Sequence, residues 1–202
     1  MGRGDHRGEV TLALVPCGWL VHTRVVKPAL AGIAALLALA GCGVGGPDVE
    51  AARTFDGYPL YWAGERFEGW DLEHVEVRPD GFSTFVYGTC DIPPFSDGGC
   101  APPLSIQVQP LCAHLDAVAA DPVWKRREVR GAPVGRIDGA PVLFASRVQV
   151  KAYWGQGADP GAPMRALEAL ESANGVAPVI GPGDPIPPAS RAVLEGTAPC
   201  GA

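Results

Sequence analysis

From Glu73 onward apolar and polar side chains alternate with a period of two, the pattern of strands with one buried and one wet face. Residues 74–78 (HVEVR) are joined by Pro79-Asp80-Gly81 to residues 82–88 (FSTFVYG), which predicts a hairpin. PLSIQVQ places Leu104, Ile106 and Val108 opposite Ser105, Gln107 and Gln109. SRVQVKAYW does the same with Val148, Val150 and Ala152 against Arg147, Gln149 and Lys151, so both strands are expected to be half-wet and to line one core. Two helices follow from the 3.6-residue pattern: Leu111, Leu115 and Val118 share one face, and Met164, Leu167 and Leu170 share another, with Asn174-Gly175 expected to stop the second. The tetrapeptide GAPV, at residues 131–134 and 139–142, is too short for a structural repeat and is expected to flank a hairpin around Asp138-Gly139. Strands clustered between short helices predict an α+β fold, an antiparallel sheet with about two short helices packed on one face.

Composition narrows this picture. Hydrophobic residues make up 47% of the chain and charged residues 19%, which excludes wholesale disorder, while 27 Gly and 21 Pro promise many turns. The Pro-rich residues 181–188 read as an extended arm laid over the surface.

The stretch LALAGCGVGG (residues 37–46) carries two incompatible signals. Gly41, Gly43 and Gly46 satisfy G-x-G-x-x-G, but a dinucleotide turn needs a strand before it and a helix after it. The preceding PALAGIAALLALA favours helix, and Gly46-Pro47-Asp48 is a loop signal. The secretion reading fits every feature: Arg24 and Lys27 supply positive charge, residues 28–40 are uncharged, and small residues surround the expected cut. That run falls short of the about 20 apolar residues a span requires. Leu39-Ala40-Gly41-Cys42 resembles the lipobox of bacterial lipoprotein precursors. The resemblance implies that Cys42 is diacylated and becomes the first mature residue, with Gly43, Gly45 and Gly46 beginning a flexible tether. A buried Ala/Leu helix with an ordinary core cysteine is the structural alternative.

The division expected is therefore an N-terminal extension and signal peptide at 1–41, a tether at 42–54, a globular domain at 55–180 and the C-terminal arm at 181–202. The leading segment is long for such a signal, which suggests a start assigned upstream of the real one, with Val21, Val25 or Val26 as alternatives. Arg3-Gly4-Asp5 would then be absent from the mature protein. His6 occupies the position where a myristoylation signal carries Ser or Thr.

Residues 42–202 hold 12 basic and 20 acidic residues, a balance that argues against a nucleic-acid partner. The charges are uneven: residues 48–80 hold nine acidic and three basic side chains, residues 125–151 seven basic and two acidic. Lys125, Arg126, Arg127 and Arg130 could meet anionic headgroups beneath the tether, or simply guard a solvated strand edge. Cys90, Cys100, Cys112 and Cys200 form an even set suited to disulfides in an extracytoplasmic compartment. Cys90 with Cys100 and Cys112 with Cys200 is the favoured one of three pairings that spacing does not decide.

No G-x-S-x-G, H-E-x-x-H or P-loop motif occurs, and neither a metal site nor any other cofactor is expected. His74 and Glu76 would share one strand face, with Asp71 and Glu73 nearby, and His114 has Asp116 beside it; an acid/base pair is possible there, as is an ordinary wet face. The densest feature is YPLYWAGERFEGW, in which Tyr58, Tyr61, Trp62, Phe67 and Trp70 could fill a core or present a binding surface to a glycan or a partner protein. This stretch and the YGTC ending at Cys90 resemble uncharacterised lipoproteins of high-GC bacteria, a resemblance that implies no activity. The expected protein is a lipid-anchored envelope module on the outer face of the cytoplasmic membrane, non-enzymatic and binding an envelope protein or cell-wall glycan. The alternative is an envelope hydrolase built on His74 and adjacent carboxylates. Solute capture for a transporter ranks last, the chain being small for a two-lobed binding protein.

Overall fold

The alternating segments become strands of one antiparallel sheet. In a computed structural model of the protein, residues 47–89, 101–114, 126–155 and 158–199 are described. Every described residue belongs to one compact unit, Val44–Ala202.

Strand β1 (Tyr61–Trp62) stands apart from the main sheet. The first half of that sheet is a meander of β2 (Arg66–Phe67), β3 (Trp70–Glu76), β4 (Ser83–Tyr87) and β5 (Leu104–Pro110). The second is a meander of β6 (Glu128–Val129), β7 (Ala132–Ile137), β8 (Ala140–Ala145) and β9 (Val148–Trp154). The spatial order β2-β3-β4-β5-β9-β8-β7-β6 joins the two halves through their last strands. That seam has an unbroken register from Leu104↔Trp154 to Pro110↔Val148. β10 (Glu171–Ser172) pairs with β1.

Local chemistry explains the turns. Arg130-Gly131 joins β6 to β7 with φ of 51° and 89°, and Asp138-Gly139 joins β7 to β8 with φ of 51° and 81°. Two consecutive left-handed residues make a type I′ hairpin turn, and glycine takes the second position without a Cβ clash. The duplicated GAPV is thus one local solution used twice, a glycine closing the turn and Ala-Pro-Val opening the next strand. The hairpin of β3 and β4 also forms, with one irregularity: Leu72 faces Tyr87 and His74 faces Val86, which leaves Glu73 as an extra residue in a β-bulge. The bulge lets Leu72 and Val75, three residues apart, both turn inward and become buried.

The inner face, with Phe85, Tyr87, Leu104, Ile106, Val108, Leu143, Val148 and Val150, forms the main core. Helix α1 (Val49–Thr54) is capped by the Asp48 side chain, which accepts from the Ala51 N–H at 3.0 Å, and it places Ala52 in that core. Residues 49–54, expected in a tether, are therefore folded onto the domain. Helix α2 (Ala162–Glu168) starts with proline in its first turn and buries Ala162, Ala166 and Leu167, with Leu170 buried just beyond its end. It stops earlier than Asn174-Gly175, since Glu171–Ser172 leave it to pair with β1, and Asn174 is anchored elsewhere. Its buried amide accepts from the Leu60 N–H and donates to the carbonyls of Phe55 and Tyr58. Of the other expected helix, Leu111–His114 form a single 3-10 turn, and Leu115 and Val118 lie outside the described residues.

Helix α3 (Arg191–Leu194) packs Leu194 with Leu111, Val142, Phe144 and Ala189 in a second, smaller cluster. Val142 and Phe144 alternate with Leu143 and Ala145 of the main core, so this cluster lies on the opposite, outer face of the sheet. The architecture is α+β, as expected, with three short helices among the described residues. The Pro-rich arm is tied down: Ile186 is buried, its N–H donates to the Arg130 carbonyl, and Pro188 bridges Ala145.

Candidate functional site

Four of the five clustered aromatics are core residues: Tyr58 is 5% exposed, Tyr61 0%, Trp62 6% and Phe67 7%, and only Trp70 is half-buried. A row of exposed rings is therefore not what this stretch makes. Two of them, Tyr58 and Tyr61, use their hydroxyls inside the fold, as does Tyr87 of β4. Tyr58 donates to the Arg78 carbonyl and Tyr61 to that of Pro178, while Tyr87 accepts from the Ala63 N–H and donates to the Gly64 carbonyl. Burial pushes the Tyr61 phenol up to about 12 and raises Tyr58 and Tyr87 as well. A ring with a satisfied polar tip can be buried at little cost.

The outer sheet face carries a different constellation. Glu76, Thr84, Gln107 and Lys151 are cross-strand neighbours running from β3 to β9, with Ser105 beside Tyr153 and Gln109 beside Gln149 in adjacent rows. A cleft of about 340 Å³ opens on this face. Gln107 and Gln109 of β5 border it, with Lys151 and Tyr153 of β9. Phe82, 39% exposed, forms part of its lining from the end of the first hairpin, and Ile137 and Asp138 complete it from the type I′ turn of the second. Its size is at the low end of small-molecule sites.

Lys151 is the unusual member. Expected on a wet face, it is only 9% exposed, and Gln149 is 1% exposed. Gln149 is opposite Phe144, part of the apolar cluster that covers this end of the outer face. The Lys151 ammonium lies over the Tyr153 ring at 4.7 Å and pairs with Asp138 Oδ2 at 3.4 Å. Its side chain is 11% exposed whereas that of Asp138 is 87% exposed, so a cation on a largely buried stem is paired at long range with a solvated carboxylate. Such a group is poised to accept a further acceptor or negative charge.

His74 is exposed on β3, opposite Val86, and does not border the cleft. His74 and Glu76 do share a face, but their neighbouring acids are held by arginines. Arg66 pairs with Asp71 at 2.7 Å and keeps its carboxyl below the usual range, and Arg78 pairs with Glu76. Glu73 is exposed at the bulge, and Asp116 and the His114 side chain lie outside the described residues. Among the described residues no group of three His, Cys, Asp or Glu is placed to hold a metal ion, and no helix is long and apolar enough to cross a membrane.

No family model, curated protein or solved structure matches the chain.

Cys112 is disulfide-bonded; Cys42, Cys90, Cys100 and Cys200 lie outside the described residues, as does the Leu39-Ala40-Gly41 motif. In the basic cluster Arg126 and Arg127 are exposed, but Arg130 is not a free surface cation. Its guanidinium donates to the carbonyls of Glu168, Leu170, Gly181 and Asp184, where cations are favoured at the end of a helix. The cleft residues escape sequence reasoning because alternation says which side chains share a face but not which strands are neighbours. The Asp138-Gly139 turn was the one visible hint.

Proposed function

We propose that the chain is the precursor of a lipid-anchored envelope protein, held through Cys42 on the outer face of the cytoplasmic membrane, whose folded domain binds cell-wall glycan without catalysing a reaction. The lipobox residues support the anchor, and the disulfide at Cys112 agrees with an oxidising compartment. The observation that carries the binding role is the outer-face cleft, where Phe82 and Tyr153 offer aromatic surface beside Gln107, Gln109, Lys151 and Asp138. Sugars are held by that combination, rings against apolar faces and amides or charges against hydroxyls. A small polar cleft suits a glycan better than an envelope protein, whose docking would call for a broad patch with apolar anchors. His74 supplies no comparable support for a hydrolase, and no residue is given a catalytic role.

The test is in two parts. Intact mass of the protein extracted from its native membranes should correspond to a diacylated chain beginning at Cys42; an unlipidated full-length chain would overturn the anchor. The extracted protein should cosediment with insoluble cell-wall glycan, and substituting Gln107→Ala together with Tyr153→Ala should abolish that. Unchanged sedimentation of the double variant removes the cleft from the reading.

A further inference from the structure

The cleft has a polarity that its amides alone do not require. Gln107 and Gln109 offer donors and acceptors alike, whereas the Lys151 ammonium offers three donors and one positive charge. Among the described residues its ion-pair partner is Asp138, at 3.4 Å, beyond the 2.7–2.9 Å of a tight charge-assisted bond. Asp138 reaches it from the left-handed first position of the type I′ turn, with its own side chain largely in solvent. Lys151, in contrast, is held from both sides: cross-strand neighbours Gln107 and Val142 flank its backbone, and the Tyr153 ring packs under the ammonium. A lysine with a buried stem, an ammonium at the wall of a cleft and a partner at long range can take a further acceptor. A ligand carboxylate would supply what the turn does not.

We infer that the cleft recognises a carboxylate-bearing saccharide, its acid group seated on Lys151 Nζ and its sugar ring between Gln107, Gln109 and the rings of Phe82 and Tyr153. This rests on the glycan reading and narrows it to acidic glycans. Asp138 then has a definite part: its exposed carboxylate competes for Lys151 and repels the incoming acid, which selects against weakly matched anions. Replacing it should strengthen binding rather than weaken it, an outcome that a merely structural role for Asp138 would not produce.

The probes are N-acetylmuramic acid and N-acetylglucosamine, which differ by the lactyl ether that bears the carboxylate, titrated against the membrane-extracted protein by saturation-transfer NMR. The acidic sugar should bind at least about tenfold more tightly, as one charge-assisted contact allows. Lys151→Met, which keeps the apolar stem, should erase that difference. Asp138→Asn keeps a residue that favours the turn and should enlarge the difference. Equal binding of the two sugars overturns the carboxylate assignment and leaves the glycan reading standing. So does cell-wall cosedimentation that survives Lys151→Met. Acetate binding as tightly as N-acetylmuramate overturns the saccharide class. Failure of both sugars together with failure of cosedimentation overturns the glycan reading itself.

Discussion

Gln149 shows how far one side chain can depart from its pattern. Among the described residues its amide nitrogen and oxygen are both buried without a hydrogen-bond partner, and it is 1% exposed beside the apolar cluster of Phe144 and Leu194. Leaving buried donors and acceptors unmade costs about 1–3 kcal/mol, whereas an apolar group of the same shape costs nothing of the kind. Gln149→Met, unbranched and of similar volume, is therefore expected to raise stability by about 1–2 kcal/mol. A urea titration should show the midpoint moving up with an unchanged slope; a lower midpoint would mean that the amide serves the fold. The alternation rule misjudged Gln149 and Lys151 because it assigns polar residues to a wet face without knowing what packs over that face.

At the scale of elements, Arg130 connects three pieces. The left-handed turn between β6 and β7 presents its guanidinium to the end of α2 and to the carbonyls of Gly181 and Asp184 at the start of the arm. Arg130→Asn keeps a residue suited to the type I′ turn but removes the donors, and is expected to cost about 2–3 kcal/mol. Limited proteolysis should then cut first within residues 181–188, whereas an arm held chiefly by Ile186 would stay as resistant as before. In the sequence Arg130 belonged to a run of surface cations, and nothing local distinguishes it from Arg126 or Arg127. Strands and X-Gly turns were legible because period-two alternation and left-handed backbone leave direct marks on residue choice. The bulge at Glu73, the contacts of Arg130 and the cleft were not, since each depends on which segments become neighbours. The aromatic stretch misled in another way: it has no clean period, so composition alone could not tell a core from a surface.

For the whole molecule, the buried tyrosines link segments far apart in the chain. Tyr58 reaches Arg78, Tyr61 reaches Pro178, and Tyr87 reaches Ala63 and Gly64. Each raised phenol favours the protonated, folded form, so its contribution is fully present below the ordinary tyrosine value of about 10 and is lost as pH rises through the folded value. Alkaline unfolding is thus expected to be cooperative, with tyrosinate absorbance from these three rings appearing together with the loss of circular dichroism. Tyrosinate from them well before any structural loss would contradict this linkage.

The seam between β5 and β9 has a consequence for how the chain finds its fold. Within each meander most strand pairings are local and closed by short connections, so either half can organise by itself; the seam must bring together segments beginning at Leu104 and Val148. Loop closure of that kind costs entropy before any contact rewards it. The seam contacts then complete a core shared by both meanders, and the encounter of the two half-sheets is expected to be the slow step of assembly. The same arithmetic leaves a second route at high concentration, in which the half-sheet of one copy meets that of another and the pair exchange partners across an identical seam.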